Sequence, residues 1–246
     1  MFLIIFYFVI SLKLNKCVDP FITGGEHTKY RHYPHAVFLI VHGDGDLVCG
    51  GSVLNQVIVL TAAHCLHPYE DVKHRGIDVK YGHESIGKMK TTHMKHYMNH
   101  EKYDDVKLIN DIGLVLTKSK IPLGIVKRII LLRNPPLVAN AYVSGWGYDE
   151  YEDLQNTLKH TNAKLQNLEM CRGMGWMPRG VFCAGPFTGQ GSADRGDSGG
   201  GLIVQDYIQI GIVSYKMPSK SLVGYTNVSY YLDWIQNHTE TLYCAK

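Results

Sequence analysis

Residues 196–214 read GDSGGGLIVQDYIQIGIVS. Two short runs rich in β-branched residues, Gly201–Val204 and Ile208–Ser214, sit inside this stretch, bounded by Gly and Asp. Such runs read as strands because branched side chains pack well on a pleated surface. Working outward, the pattern recurs at Gly224–Asn227 on one side. On the other it recurs at Ala141–Gly145, Ile112–Thr117, Val57–Leu60, Ser52–Leu54 and Ala36–Val41. The spacing is irregular and no long 3.6-residue period intervenes, which favours an all-β sandwich or barrel over alternating βαβ units. The final stretch differs. Leu232, Ile235 and Leu242 recur at near-helical spacing, with Ser229 placed to cap the start, predicting a terminal helix over residues 230–242. There is no internal repeat, low-complexity segment or linker.

A chain of 246 residues is long enough to bury roughly 70% of its unfolded surface, in one or two domains. Hydrophobic residues at 45% against charged residues at 19% exclude a disordered tail protein. The 25 Gly and 9 Pro follow no period, which excludes collagen. Lys and Arg number 25 and Asp and Glu 22, a net charge of +3, with no block dense enough to track phosphates. Nucleic acid is therefore not an expected partner. Six cysteines suit a secreted enzyme with a few staples better than a disulfide-dense miniature scaffold.

Phe2–Leu12 reads FLIIFYFVISL, too short to span a bilayer. It matches the apolar region of a secretory leader, although no basic residue precedes it and the first lysine is Lys13. Cys17 before Val18 is the candidate cleavage point, making residues 1–17 a signal peptide and 18–21 a short propeptide. The competing reading is a buried N-terminal strand. No other run approaches 18 apolar residues, so no membrane association is expected. Two glycosylation sequons, at Asn227 and Asn237, agree with an extracellular protein.

Three short motifs carry the chemistry: Thr61-Ala62-Ala63-His64-Cys65, Asn110-Asp111-Ile112-Gly113-Leu114 and Gly196-Asp197-Ser198-Gly199-Gly200. Each is a weak signal alone. In the order His, Asp, Ser they supply the parts for nucleophilic acyl transfer. A serine hydroxyl is a poor nucleophile at neutral pH and needs an imidazole to take its proton. The imidazole needs a carboxylate to hold its tautomer. Glycines around the serine let backbone N–H groups converge on a developing oxyanion, where one donor is worth about 10²–10³ in rate.

With these motifs, and with Ile22-Thr23-Gly24-Gly25, Cys49-Gly50-Gly51-Ser52, Ser144-Gly145-Trp146-Gly147 and Gly211-Ile212-Val213-Ser214-Tyr215 in order, the chain resembles the chymotrypsin/trypsin family of serine proteases. The resemblance runs from Ile22 to Leu242. It implies two six-stranded antiparallel β-barrels, over residues 22–130 and 131–230, with a C-terminal helix and the active site between them. His64 would be general base and then acid, Asp111 its orienter and Ser198 the nucleophile. The N–H groups of Gly196 and Ser198 would form the oxyanion hole, and Ser214 would lie beside Asp111 and bind substrate backbone. Disulfides Cys49–Cys65 and Cys171–Cys183 are implied. Cys17 and Cys244 are left over: they pair, or Cys17 leaves with the leader and Cys244 stays single. The implied partners are protein or peptide substrates and macromolecular protease inhibitors. The protein would be a monomer with no cofactor and no metal.

The departures from the family pattern bear on activation and specificity. The α-amino group of Ile22, once freed, would pair with Asp197, since a buried carboxylate needs a partner. The residue before it is Phe21, which a trypsin-like activator would not select. Thr23 replaces the usual Val. The pocket floor is Ser192, where a trypsin-like enzyme carries Asp, so Arg and Lys selectivity is disfavoured. The walls align as Lys216 and Val223. A bulky Lys216 makes a shallow, elastase-like pocket, or attracts an acidic side chain, or keeps its ammonium in solvent and only narrows the entrance; the last is the default for a long flexible cation. Asp194 and Ser219 occupy the positions of a frequent pocket disulfide, so a more mobile pocket is expected. If Asp194 pointed inward, some preference for basic side chains would return. A second frequent disulfide is replaced by Ala141 and Val204. Tyr215 replaces the usual Trp and keeps an aromatic surface, while Gly201 replaces a Pro and loosens its turn.

Weaker signals remain. His93, His96 and His100 have a spacing that would bind metal on a helix, but this segment reads as strand and loop. Lys88, Lys90, Lys95 and Lys102 make that surface locally basic, by default a solvated face. The acidic stretch Asp149–Asp153 reads as a solvated loop that would at most steer cationic substrates. Two functions are open at this level: an active secreted serine endopeptidase of chymotrypsin- or elastase-like specificity, and a weak or inactive protease-like binding protein. The intact His, Asp and Ser set favours the first.

Overall fold

A computed structural model describes residues 25–66, 76–136, 138–149, 151–185, 191–217 and 221–244. The leader, the propeptide, Ile22, Cys17 and Ser219 lie outside these residues. The strands are β1 (Glu26–His27), β2 (Ala36–Val41), β3 (Leu47–Val53), β4 (Ile58–Thr61), β5 (Ile77–Tyr81), β6 (Lys90–Asn99), β7 (Gly113–Thr117), β8 (Asn140–Gly145), β9 (Lys159–Lys164), β10 (Val181–Ala184), β11 (Gly201–Val204), β12 (Ile208–Met217) and β13 (Leu222–Asn227). Two α-helices among the described residues are α1 (Leu168–Arg172) and α2 (Leu232–Cys244).

The first barrel closes in the order β2-β3-β4-β7-β6-β5, with β5 returning to β2 through the pair Ile40↔Asp78. Its strands show the period of two that a half-buried strand requires. In β5, Ile77, Val79 and Tyr81 point inward while Asp78 and Lys80 face out. Val37, Leu39, Ile58, Leu60, Leu114 and Leu116 fill the interior. Full burial of such a side chain contributes about 1.5–3 kcal/mol. The second sheet runs β1-β9-β8-β11-β12-β13-β10. Its ends meet where Leu165, just past β9, bridges Ala184 of β10, with Gly185 N–H donating to Lys164 O at 2.9 Å. The all-β expectation with a C-terminal helix holds. The second row gains a short edge strand, because Glu26 and His27 add to β9.

Helix α2 lays Leu232, Trp234, Ile235 and Leu242 against the core. Trp234, Ile235 and Leu242 join the cluster of the first barrel although they follow the second in sequence. The helix begins at Leu232, two residues later than expected, and the turn before it is organised by the Asn227 side chain. Asn227 Oδ1 accepts the N–H of Ser229 at 3.0 Å, the Ser229 hydroxyl at 2.7 Å and the Tyr230 N–H at 3.3 Å. No helix among the described residues is long and apolar enough to cross a membrane.

Candidate active site

His64 follows β4 on a tight turn, and the Cys49–Cys65 disulfide ties that turn to β3. Asp111 precedes β7, after Asn110 in a left-handed conformation with φ 57°. Tyr231 donates to Asn110 Oδ1 at 2.9 Å and braces this bend. The Asp111 carboxylate is 1% exposed and accepts from three donors. His64 Nδ1 lies 2.8 Å from Oδ2, the His64 backbone N–H donates to Oδ1 at 2.9 Å, and the Ser214 hydroxyl donates to Oδ2 at 2.5 Å. A carboxylate only accepts, so Nδ1 carries the proton and Nε2 is left as a proton acceptor. Burial opposes both charges, but the facing ions and their hydrogen bonds outweigh it. The His64 pKa is raised above its ordinary value and that of Asp111 is lowered.

Ser198 sits on the turn before β11, and its carbonyl accepts the Gly50 N–H at 2.7 Å, which sets it against the strand cross-linked to the His64 turn. The turn consumes the N–H groups of Asp197, Gly199 and Gly200, which donate to Asp194 O, Val213 O and Asp197 O at 3.0, 2.8 and 2.9 Å. The N–H groups of Gly196 and Ser198 make no such bond among the described residues. Gly199 has φ +81°, and a Cβ there would lie 2.1 Å from Thr61 Oγ1 and 2.6 Å from Gly50 O. No other residue fits that crossing of backbone.

Asp197 is buried, its oxygens accepting the N–H groups of Gly147 at 2.9 Å and Asp194 at 3.0 Å. A Cβ at Gly145 would lie 2.0 Å from Asp197 Oδ1, so this glycine makes room for the carboxylate. Burial pushes its pKa up to about 6. The expected partner, the Ile22 amino group, lies outside the described residues.

Ser192 is 3% exposed, and its hydroxyl has no hydrogen-bond partner among the described residues. Tyr215 packs on Gly224 and donates to Trp176 O at 3.4 Å. Lys216 pairs with the buried Val223 across β12 and β13. It does not carry its ammonium into solvent. Nζ lies 2.5 Å from Asp194 Oδ2, because the neighbouring loop offers a carboxylate within its reach. Both expected disulfides, Cys49–Cys65 and Cys171–Cys183, are formed, and Cys244 is exposed with no disulfide partner among the described residues.

Other residues singled out by spacing do not converge. His93 binds Asp78 at 2.7 Å, while His100 stacks on Trp234. The described residues whose ligand atoms do cluster are Cys49, His64 and Cys65, and that group is a disulfide beside the candidate imidazole. Asp149 is a turn organiser rather than a solvated charge: it accepts from the N–H groups of Tyr151 and Asp153 and from Gln155 Nε2. Sequence reasoning missed Thr226, whose hydroxyl donates to Asp111 O at 2.8 Å and fixes that backbone from the second sheet. No local pattern marks it.

A closed barrel and a second sheet, with a buried aspartate holding an imidazole and a glycine-flanked serine turn bonded to the strand cross-linked to it, have the form of a serine protease of the two-barrel class. The family model described as Trypsin matches residues 22–235, and the chain belongs to that family. It is 32% identical to a protein named Chymotrypsin from Phaedon cochleariae, over 91% of this chain and 84% of that one. It is 31% identical to Trypsin Tyr p 3.0101 of Tyrophagus putrescentiae, over 92% and 84%. The structure of HL collagenase superposes with a TM-score of 0.77 at 25% identity, covering 88% of this chain and 97% of that one. By family, the chain is a serine endopeptidase acting on proteins or peptides.

Proposed function

We propose that this protein is a secreted serine endopeptidase that works through an acyl-enzyme and selects apolar or small side chains, in the manner of chymotrypsins or elastases rather than trypsins. The observation that carries this reading is the Asp111 carboxylate holding His64 Nδ1, which puts the ring proton there and leaves Nε2 as the proton acceptor. Ser198 Oγ attacks the substrate carbonyl carbon and its proton passes to His64 Nε2. The N–H groups of Gly196 and Ser198 take the oxyanion. The intermediate collapses as His64 gives its proton to the leaving amine. Water then attacks the acyl-ester with His64 again as base, which releases the acid and restores Ser198. Ser214 orients Asp111 from below and offers backbone to the substrate. Protein inhibitors that present a substrate-like segment would occupy the same cleft, and the enzyme acts as a monomer.

The pocket supports the selectivity. Its floor, Ser192, bears no charge to receive an arginine or lysine, and Tyr215 and Val223 give apolar walls. The relatives include one named chymotrypsin and one named trypsin, so the pocket has to decide. Activation is cleavage at Phe21–Ile22, after which the new ammonium meets Asp197. Burial, helped by the nearby Asp194 charge, holds the Asp197 carboxyl at about 6 against two backbone hydrogen bonds and the Lys216 charge, and a buried ammonium against it would favour its charged form.

Covalent labelling tests the reading. The secreted form and a form beginning at Ile22 are each treated with a fluorophosphonate, with Ser198→Ala as control. Labelling of Ser198 in the Ile22 form alone is expected, locating the switch at Phe21–Ile22. No labelling of either folded form would sink the catalytic reading and leave a binding protein.

A further inference from the structure

Asp194 and Lys216 form an ion pair at 2.5 Å, with 18% of the Lys216 side chain and 28% of the Asp194 side chain exposed. Each end is anchored. Asp194 Oδ1 accepts the Arg195 N–H at 2.8 Å, and the Asp194 N–H donates to Asp197 Oδ2 at 3.0 Å. Lys216 is held in the β12–β13 ladder opposite Val223. The pair therefore ties the segment 192–197, which carries the pocket floor Ser192 and leads into the Ser198 turn, to the end of β12, which carries Ser214 and Tyr215.

This has three consequences for a substrate side chain approaching Ser192. The methylene stem of Lys216 has to span from β12 to the loop that carries Ser192, where it would take space that an aromatic ring needs. A basic guest can reach the Asp194 carboxylate only by expelling an ammonium already there, so one contact is exchanged for another with no gain. A small uncharged guest displaces nothing. The charges of the pair are engaged with each other and with the buried Asp197 beside them, so a substrate charge has to displace one to reach the other.

We infer that the Asp194–Lys216 pair is the specificity determinant of this pocket. It is a non-covalent latch between the two walls that restricts the residue before the cleaved bond to small uncharged side chains. The inference rests on the endopeptidase reading and narrows its two options to the elastase-like one. It also bears on the expectation of a loosened pocket, since the ion pair ties Asp194, one of the two positions of the absent disulfide, to the end of β12.

The test uses the form beginning at Ile22 and three peptide anilides that differ only in Ala, Phe or Arg before the scissile bond. Fluorophosphonate labelling of Ser198 is measured alongside. In the unmodified enzyme, kcat/KM for Ala should exceed that for Phe and Arg by about tenfold or more, the scale on which pocket volume and charge discriminate. Lys216→Gly should raise both the Phe/Ala and Arg/Ala ratios by about tenfold or more, since it removes bulk and frees a carboxylate. Asp194→Asn should raise the Phe/Ala ratio alone, because Lys216 is unlatched and no carboxylate is left for Arg. A response to Lys216→Gly with none to Asp194→Asn would mean that bulk alone sets the limit, and would overturn the latch. Unchanged ratios in both variants, with Ser198 labelled, would overturn the inference and leave the endopeptidase reading standing. Loss of labelling in both variants alone would show that the pair holds the site together instead of setting selectivity. An unlabelled unmodified enzyme would remove the endopeptidase reading and this inference with it.

Discussion

His35 shows at a single residue what burial costs an ionisable group outside the active site. It is 1% exposed, its Nδ1 has no partner among the described residues, and burial pushes its pKa down to about 3 from 6.5. The folded chain therefore refuses a proton that the unfolded chain accepts once the pH falls below 6.5. Stability should be full above that value and should decline by up to about 1.4 kcal/mol per pH unit down to about pH 3. His35→Leu removes the group but keeps the backbone bond from Val53 N–H to His35 O. Urea midpoints at pH 7 and pH 4.5 should then fall less for the variant than for the unmodified protein, and equal falls would contradict the assignment. Nothing in the sequence marks His35 as different from the other histidines, since burial belongs to the folded chain. His64, by contrast, was legible because Ala63 and Cys65 flank it in a motif whose chemistry needs an imidazole.

At the scale of elements, the strands legible in the sequence were those rich in Val, Ile and Leu, such as β2, β4, β7 and β11. Strands β6 and β9 read KTTHMKHYMN and KHTNAK and carry no apolar run. They are strands because neighbours on both sides supply backbone partners: β6 lies between β5 and β7, and β9 between β1 and β8. Tertiary pairing overrides local propensity there. The Cys49–Cys65 disulfide belongs to this scale, since it binds the His64 turn to β3 across 16 residues of sequence. Replacing both cysteines by Ala should lower unfolding stability by about 3 kcal/mol, as expected for a loop of this length. Ser198 should also react more slowly with a fluorophosphonate, because the turn that carries His64 is released. An undiminished labelling rate would show that hydrogen bonds alone position the imidazole.

At the scale of the whole molecule, the C-terminal helix packs into the large cluster that holds the first barrel's core and reaches into the second half through Trp146 and Ile212. Trp234, Ile235 and Leu242 are buried in that cluster, each side chain contributing about 1.5–3 kcal/mol. Domains of this kind are stable by only about 5–15 kcal/mol in total. A chain ending at Tyr231 is therefore expected to lose its cooperative thermal transition, as followed by circular dichroism. A cooperative melt at the unmodified midpoint would show that the helix is an appendage.

The candidate catalytic residues, their chain order and the all-β class were legible in the sequence alone. Those signals are local: the motifs around His64 and Ser198 are contiguous, and a strand's apolar pattern lies within a few residues. The tertiary structure decided which groups meet. Asp111 receives Ser214 from 103 residues away and Thr226 from 115. Lys216 finds Asp194 rather than water across 22 residues. A sequence lists donors, acceptors and charges, but a hydrogen bond or ion pair depends on ångström-scale separation and on the removal of competing water. In this protein both were set by the closure of the first barrel, the register of β12 against β13 and the docking of the two halves around Asp111.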